Sequence, residues 1–155
     1  MRLTSYTDYA LRVLIYLGVK AELATITEIT DAYGISRNHL VKVVHDLGRR
    51  GYVHTLRGKH GGIRLAQPAA EICVGHLVRE LEEDMRLVEC FDVAAISRCN
   101  IEPACVLRHV LHGALQAFLA ELDRYSLADL LVSERNLANL LHVPQPGRPA
   151  GVGPP

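Results

Sequence analysis

The chain of 155 residues has no tryptophan, only two phenylalanines and two methionines, and just 5% aromatic residues. Its core must therefore rest on Leu, Val, Ile and Ala. No apolar run approaches the roughly 20 residues that a membrane-spanning helix requires. The apolar stretch over residues 1–20 is interrupted by Asp8 and Arg12, and no small-residue cleavage site follows it. It reads as an amphipathic helix and not as a signal peptide, so the expectation is a cytoplasmic protein without a membrane partner. Neither a Gly-rich nucleotide-binding motif nor a catalytic acid–base pair stands out, which speaks against an enzyme and against a small iron–sulfur redox protein. The four cysteines form no CxxC knuckle, which weakens a structural zinc reading. Net charge is zero, and by itself that opposes a nucleic-acid partner.

The neutral average hides a strong asymmetry. From Ser36 to Arg64 there are seven basic residues and one acid, Asp46. From Glu71 to Asp92 there are seven acids and two arginines. A basic block inside a neutral chain is either a solvated face or an electrostatic footprint for a polyanion. The local pattern decides between the two.

Over residues 5–20 apolar positions recur at helical spacing, with Thr4 or Ser5 as cap. Thr25 and Glu28 have capping-box spacing and open a short helix that ends at Gly34. Ser36 caps the next helix, whose inner face is Leu40, Val43, Val44 and Leu47. Two short strands follow, residues 52–56 and 62–65, joined by the Gly-rich basic loop of residues 57–61. A short helix is expected over residues 75–83, and an aperiodic stretch over residues 85–103. A long helix is expected over residues 104–122, striped by Leu107, Leu111, Ala114, Phe118 and Leu122. Ser126 and Asp129 open a terminal helix. Residues 144–155 are Pro/Gly-rich and expected to be disordered. The chain is thus one unit over residues 1–143, mainly α with a small β-hairpin, followed by a tail.

Helix, tight turn and helix make a helix-turn-helix over about residues 28–51. The hairpin, about residues 52–66, makes it a winged one. Ser36, Arg37, Asn38 and His39 begin the second helix, where a recognition helix meets base edges; Arg suits guanine and Asn suits adenine. Lys42, His45, Arg49 and Arg50 follow on the same polar face, and Lys42, Arg49 and Arg50 suit phosphate. Arg57, Lys59, His60 and Arg64 charge the wing, and its glycines permit close approach. The predicted partner is a double-stranded DNA operator.

Cys73 sits in an apolar context and reads as a small buried residue. Cys90, Cys99 and Cys105 lie within sixteen residues, in an irregular loop of about residues 88–105. Structural disulfides are rare in a cytosolic chain, so such thiols point to metal or redox chemistry. Spacing leaves an iron–sulfur cluster, zinc and a thiol switch all open. A cluster would be one ligand short, with Asp8, Glu89, Asp92, Glu102 and His109 as candidates. A labile non-Cys ligand would leave iron open to a small reactive molecule, which favours sensing over electron storage. Asp8 stands among apolar residues, where an unpaired carboxylate is costly; it equally suits the N-terminal turn of a helix. His109 is one turn after Cys105, a spacing that suits either a shared face or a plain surface position.

With these residues in place, the sequence resembles the bacterial iron–sulfur winged-helix regulators, a family whose branches include NsrR-type nitric-oxide-sensitive repressors and IscR-type regulators. The resemblance is carried by LTSYTDYALRVLIYL, by YGISRNHLVKVVHDLGRRGYVHTLRGKHGGIRLA, by VRELEEDMRLVECF and by CNIEPACVLRHVLHGALQAFLAELDRYSLADL. It spans residues 1 to about 143. IscR-type proteins carry a His three residues after the last Cys, where this chain has Arg108, and that favours the NsrR-type branch. The resemblance implies a homodimer built on the long helix, about residues 104–123. It implies one [2Fe-2S] or [4Fe-4S] cluster per subunit on Cys90, Cys99 and Cys105, with Asp8 from the partner subunit as a fourth ligand. It further implies repression that nitric oxide lifts from genes of nitric-oxide detoxification; the alternative is an IscR-like response to cluster supply or oxidation. Eight residues separate Cys90 from Cys99, more than is usual in the NsrR-type branch.

Overall fold

Thr4 accepts a hydrogen bond from the Thr7 backbone N–H and so starts α1, Ser5–Lys20. The Glu82 carboxylate, only 7% exposed, accepts from both the Thr4 backbone N–H (2.7 Å) and the Thr4 hydroxyl (3.0 Å). In this computed structural model, which describes residues 2–92 and 99–144, α1 is the central strut. Ala10, Val13, Leu14 and Leu17 on its inner faces are essentially sealed from solvent. Burying leucines such as Leu14 and Leu17 stabilises the fold by about 1.5–3 kcal/mol each. The expected disorder of the tail, from residue 145 onward, and most of the spacing between Cys90 and Cys99, residues 93–98, lie outside the described residues.

α2, Ile26–Tyr33, opens with the expected capping box: Thr25 accepts from the Glu28 backbone N–H, and Glu28 accepts from the Thr25 backbone N–H. Gly34 ends it at φ 64°, a left-handed position that suits glycine. α3, Arg37–Arg49, then buries Leu40, Val43, Val44 and Leu47. Ser36 occupies its N-cap but, against expectation, makes no side-chain capping bond. The helix runs through Gly48 to Arg49, and Gly51 makes the turn at φ 81°.

β1, Val53–Leu56, pairs antiparallel with β2, Gly62–Leu65, in a register that sets Val53 opposite Leu65 and Leu56 opposite Gly62. The hairpin is tied down at its base. Ile63 exchanges both backbone hydrogen bonds with Ala24, at 2.9 and 2.7 Å. A Cβ at Gly62 would strike the Ala24 carbonyl, so this approach requires glycine.

Beyond the hairpin, α4, Val74–Leu81, packs on α5, Val106–Asp123. Asp123 presses against Gly75, where a Cβ would collide with it, and forks onto Arg79 at 2.5 and 2.6 Å. Cys73 is not a core residue. It is half-buried at the N-cap of α4, with its thiol 3.7 Å from the Asp123 carbonyl oxygen. The expected terminal helix is split into α6, Leu127–Leu130, and α7, Glu134–Leu140. The split lets the chain turn back, so that Leu131 fills the space over Gly18 while Ala138, Leu141 and Val143 enter the core. The architecture is the expected one: a mainly helical winged helix-turn-helix followed by a long C-terminal helix.

Candidate nucleic-acid interface and cysteine loop

α3 is amphipathic, so burying its four aliphatic residues turns its polar face outward. Ser36, Arg37, Asn38, His39, Lys42, His45 and Arg49 are all exposed. The wing presents Arg57, Lys59, His60 and Arg64, likewise exposed. The loop between the strands closes on a Gly61 N–H to Gly58 carbonyl bond of 2.9 Å, with Gly58 at φ 113°. A Cβ at Gly61 would meet the Leu56 carbonyl, so the tight tip depends on that residue.

Not every side chain of this face is loose. Arg37 Nη1 donates to the hydroxyl of Thr27 on α2 at 2.7 Å. His39 stacks on Tyr9 of α1 with ring centroids 6.1 Å apart. Arg50, read as a phosphate contact, is exposed and pairs with Asp46, Nε to Oδ2 at 2.9 Å. The same carboxylate oxygen accepts from the Tyr6 hydroxyl at 3.0 Å. Burial pushes the Asp46 carboxyl upward, but its hydrogen bonds from Arg50 and Tyr6 win and hold it below the usual range. Burial, helped by the bond to Asp46, raises Tyr6 to about 12. The one acid of the basic block is thus turned inward as a strut. Thr27, Tyr9 and Tyr6 escape a reading of the sequence because their partners lie on other helices.

The cysteines follow a stretch governed by local polar contacts. Arg86 donates to both oxygens of Asp84 at 2.8 Å and also pairs with Asp92. Those bonds pull Asp84 down to about 2. Cys90 is the middle residue of a single 3-10 turn, Glu89–Phe91, and is half-buried. Cys99 is exposed, and its carbonyl accepts from Glu102 as the 3-10 turn Glu102–Ala104 begins. Cys105 is the N-cap of α5, at the positive end of that helix. The fit to a thiolate-bound group is one of chemistry: three soft donors on irregular backbone, one of them where negative charge is stabilised. Among the described residues no three Cys, His, Asp or Glu side chains converge on one point.

The candidate fourth ligands are scattered. Of its two readings, Asp8 fits the acid of the first turn of α1 and not a costly buried carboxylate. Its side chain is 46% exposed and pairs with Arg12 one turn on, at 2.9 Å, while Arg12 also lies over the Tyr33 ring. Glu102 is engaged by Arg108 at 2.9 Å. Glu89 sits in the 3-10 turn of Cys90, and Asp92 caps that turn. His109 is exposed, its Nδ1 3.3 Å from the Cys105 carbonyl oxygen at the start of α5. His109 and His112 border an open groove of about 470 Å³ with Phe91, Arg86 and Leu115.

α5 buries only Leu115 and Leu119 against its own chain. The expected stripe of Leu107, Leu111, Ala114, Phe118 and Leu122 is left exposed or half-exposed, as are Val106 and Val110. No helix among the described residues is long and apolar enough to cross a membrane.

The family model described as an iron-dependent transcriptional regulator, Rrf2, matches residues 3–133. The HTH-type transcriptional regulator NsrR of Geobacillus kaustophilus is 52% identical over 143 residues, covering 91% of this chain and 97% of its own. NsrR of Bacillus subtilis is 50% identical with the same coverage. The solved structure of IscR from T. potens superposes with a TM-score of 0.67 over 86% of this chain and 88% of its own; at 22% identity that likeness is one of fold. The chain therefore belongs to the Rrf2 family, and it is a regulator of transcription rather than an enzyme.

Proposed function

We propose that the protein is a cytoplasmic, homodimeric DNA-binding repressor whose hold on its operator depends on an iron–sulfur cluster carried by Cys90, Cys99 and Cys105. The single observation that carries the DNA reading is the outward face of α3. Ser36, Arg37, Asn38, His39, Lys42 and Arg49 are exposed together, and the only acid of that helix is turned away onto Arg50 and Tyr6. The polar start of α3 reads base edges, Lys42 and Arg49 meet phosphates, and Arg57, Lys59, His60 and Arg64 follow the adjacent backbone or minor groove.

When bound, the cluster supplies thiolate-held iron that is open, at a weakly held fourth position, to nitric oxide. The chain's own residues supply the coupling. Cys105 caps α5, so the backbone at the metal-binding loop is continuous with the helix whose apolar face we assign to the dimer. Asp8 of the partner subunit supplies the fourth ligand. Its bond to Arg12 is an exposed i,i+4 pair, worth about 0.3–0.5 kcal/mol, so Asp8 is released at little cost. Because α1 packs on α3, a change at Asp8 bears on the recognition helix directly. The outcome we assign is derepression of nitric-oxide detoxification genes.

Anaerobically purified protein tests this reading. It should be coloured, should select a defined duplex from a random pool, and should lose affinity for that duplex when nitric oxide changes its spectrum. Colourless protein with stoichiometric zinc overturns the cofactor, and failure to select any duplex overturns the DNA reading. The second reading is an IscR-like response to cluster supply or oxidation. It predicts that the apo form still binds a selected duplex as tightly as the loaded form does.

A further inference from the structure

Arg37 is the most exposed kind of side chain to ask for precise base recognition. An unrestrained arginine spreads over many rotamers, and a bidentate grip on guanine has to order all of them. In this protein the guanidinium is already held. Its Nη1 donates to the Thr27 hydroxyl at 2.7 Å, across the turn from α3 to α2. Thr27 is itself well placed to hold something. The Thr25–Glu28 capping box and the Thr30 hydroxyl, which donates to the Thr27 carbonyl at 2.7 Å, leave the Thr27 hydroxyl outside the helix's own bonding. Gly34 at φ 64° and the buried Ile29, Ile35 and Leu40 then set the distance between the two helix starts.

The geometry of the guanidinium makes this tether useful. Arginine has five N–H donors in a rigid plane. Spending one Nη1 donor on Thr27 leaves the Nε and Nη2 fork intact, and a two-donor fork is what pairs with guanine O6 and N7. The Thr27 hydroxyl also keeps its own proton, which can be donated to a phosphate oxygen.

We infer that Thr27 is a specificity-determining residue: its hydroxyl positions Arg37 so that the recognition helix reads a guanine. Thr27 acts through Arg37 and reads no base itself. The inference rests on the DNA-binding reading above and names a residue which that reading does not contain.

The test uses full-length protein loaded with its cofactor and the duplex it selects from a random pool. Wild-type, Thr27→Val, Thr27→Ser, Arg37→Ala and the Thr27→Val/Arg37→Ala double variant are titrated against that duplex. They are also titrated against versions with each G·C pair replaced in turn. Thr27→Val should lose about three- to tenfold of the discrimination at one G·C pair, the same pair at which Arg37→Ala loses most. Thr27→Ser, which keeps the hydroxyl, should restore it. In the Arg37→Ala background Thr27→Val should add nothing at that pair. The slope of affinity against salt should change little, because no charge is removed. Equal thermal midpoints for wild type and Thr27→Val show that the fold is intact. The assignment is overturned if Thr27→Val keeps full discrimination, or if it weakens every duplex equally while Thr27→Ser fails to rescue. If wild-type protein selects no duplex, the DNA-binding reading falls first and this assignment with it.

Discussion

Leu14, Leu17, Leu40 and Leu47 in the N-terminal unit are at most 1% exposed, whereas Val106, Leu107 and Val110 at the start of α5 are 74%, 61% and 59% exposed. The two regions differ in polar bonding as well. The first two helices are capped by threonine side chains, and the wing is stitched to the loop before α2. Among the described residues from Arg86 to Cys105 there are two single-turn 3-10 elements, neither with a side-chain cap. The N-terminal unit satisfies most of its own polar and apolar groups, and the polar faces of α3 and the wing are left outward. The described cysteine segment carries its metal-binding capacity as three thiols on irregular backbone, and α5 carries exposed apolar surface. Such capacity is what a bound metal group and a second copy of the chain would use, in keeping with the function proposed above.

The largest effect expected is in the self-sufficient half. Leu14→Ala should cost about 2–5 kcal/mol in chemical unfolding, since a sealed site leaves a cavity. A cost below about 1 kcal/mol would mean that this unit is looser than its burial indicates. On the other side of the comparison, Val110→Asp should leave the unfolding midpoint of the monomer unchanged and weaken dimerisation by about 100-fold, or roughly 2.7 kcal/mol. Sedimentation at several concentrations reads this out. An unaltered dimer would remove α5 from the interface.

A smaller effect concerns acid. The folded Asp46 carboxyl is depressed, so the stability it contributes is present above its unfolded value, near 4, and is lost as pH falls through the folded value. Asp46→Asn should lower stability at neutral pH by about 1 kcal/mol and flatten the loss of stability in denaturant titrations below about pH 4. An unchanged acid slope would show that Tyr6 and Arg50 do not depend on that charge. The smallest effect is expected at the wing tip. Lys59→Ala should weaken binding to every duplex by about threefold and lower the salt slope by about one. A change confined to one base pair would show instead that the hairpin reads sequence.

Much of this molecule was readable in advance because its signals are local. The Thr25–Glu28 spacing, Gly34, the α3 periodicity and the alternating residues around the Gly-rich loop each act within a few residues, and each appears where expected. Expectations failed where a distant contact intervened. The apolar neighbours of Cys73 implied burial, yet the approach of Asp123 to Gly75 leaves it at a helix cap. Ser126 and Asp129 did open a helix, but Leu131 had to reach Gly18, and the helix breaks to allow it.

By itself, the sequence determined the winged helix-turn-helix, the basic character of its outward face and the grouping of three thiols before a long helix. Each follows from hydrophobic period, turn chemistry or charge along the chain. Only the tertiary structure decided which of the basic residues are available. Arg37 is held by Thr27 and His39 rests on Tyr9. Those pairings join helices whose contact depends on how their buried faces dock, and docking is a property of shape in three dimensions that no spacing along the chain encodes.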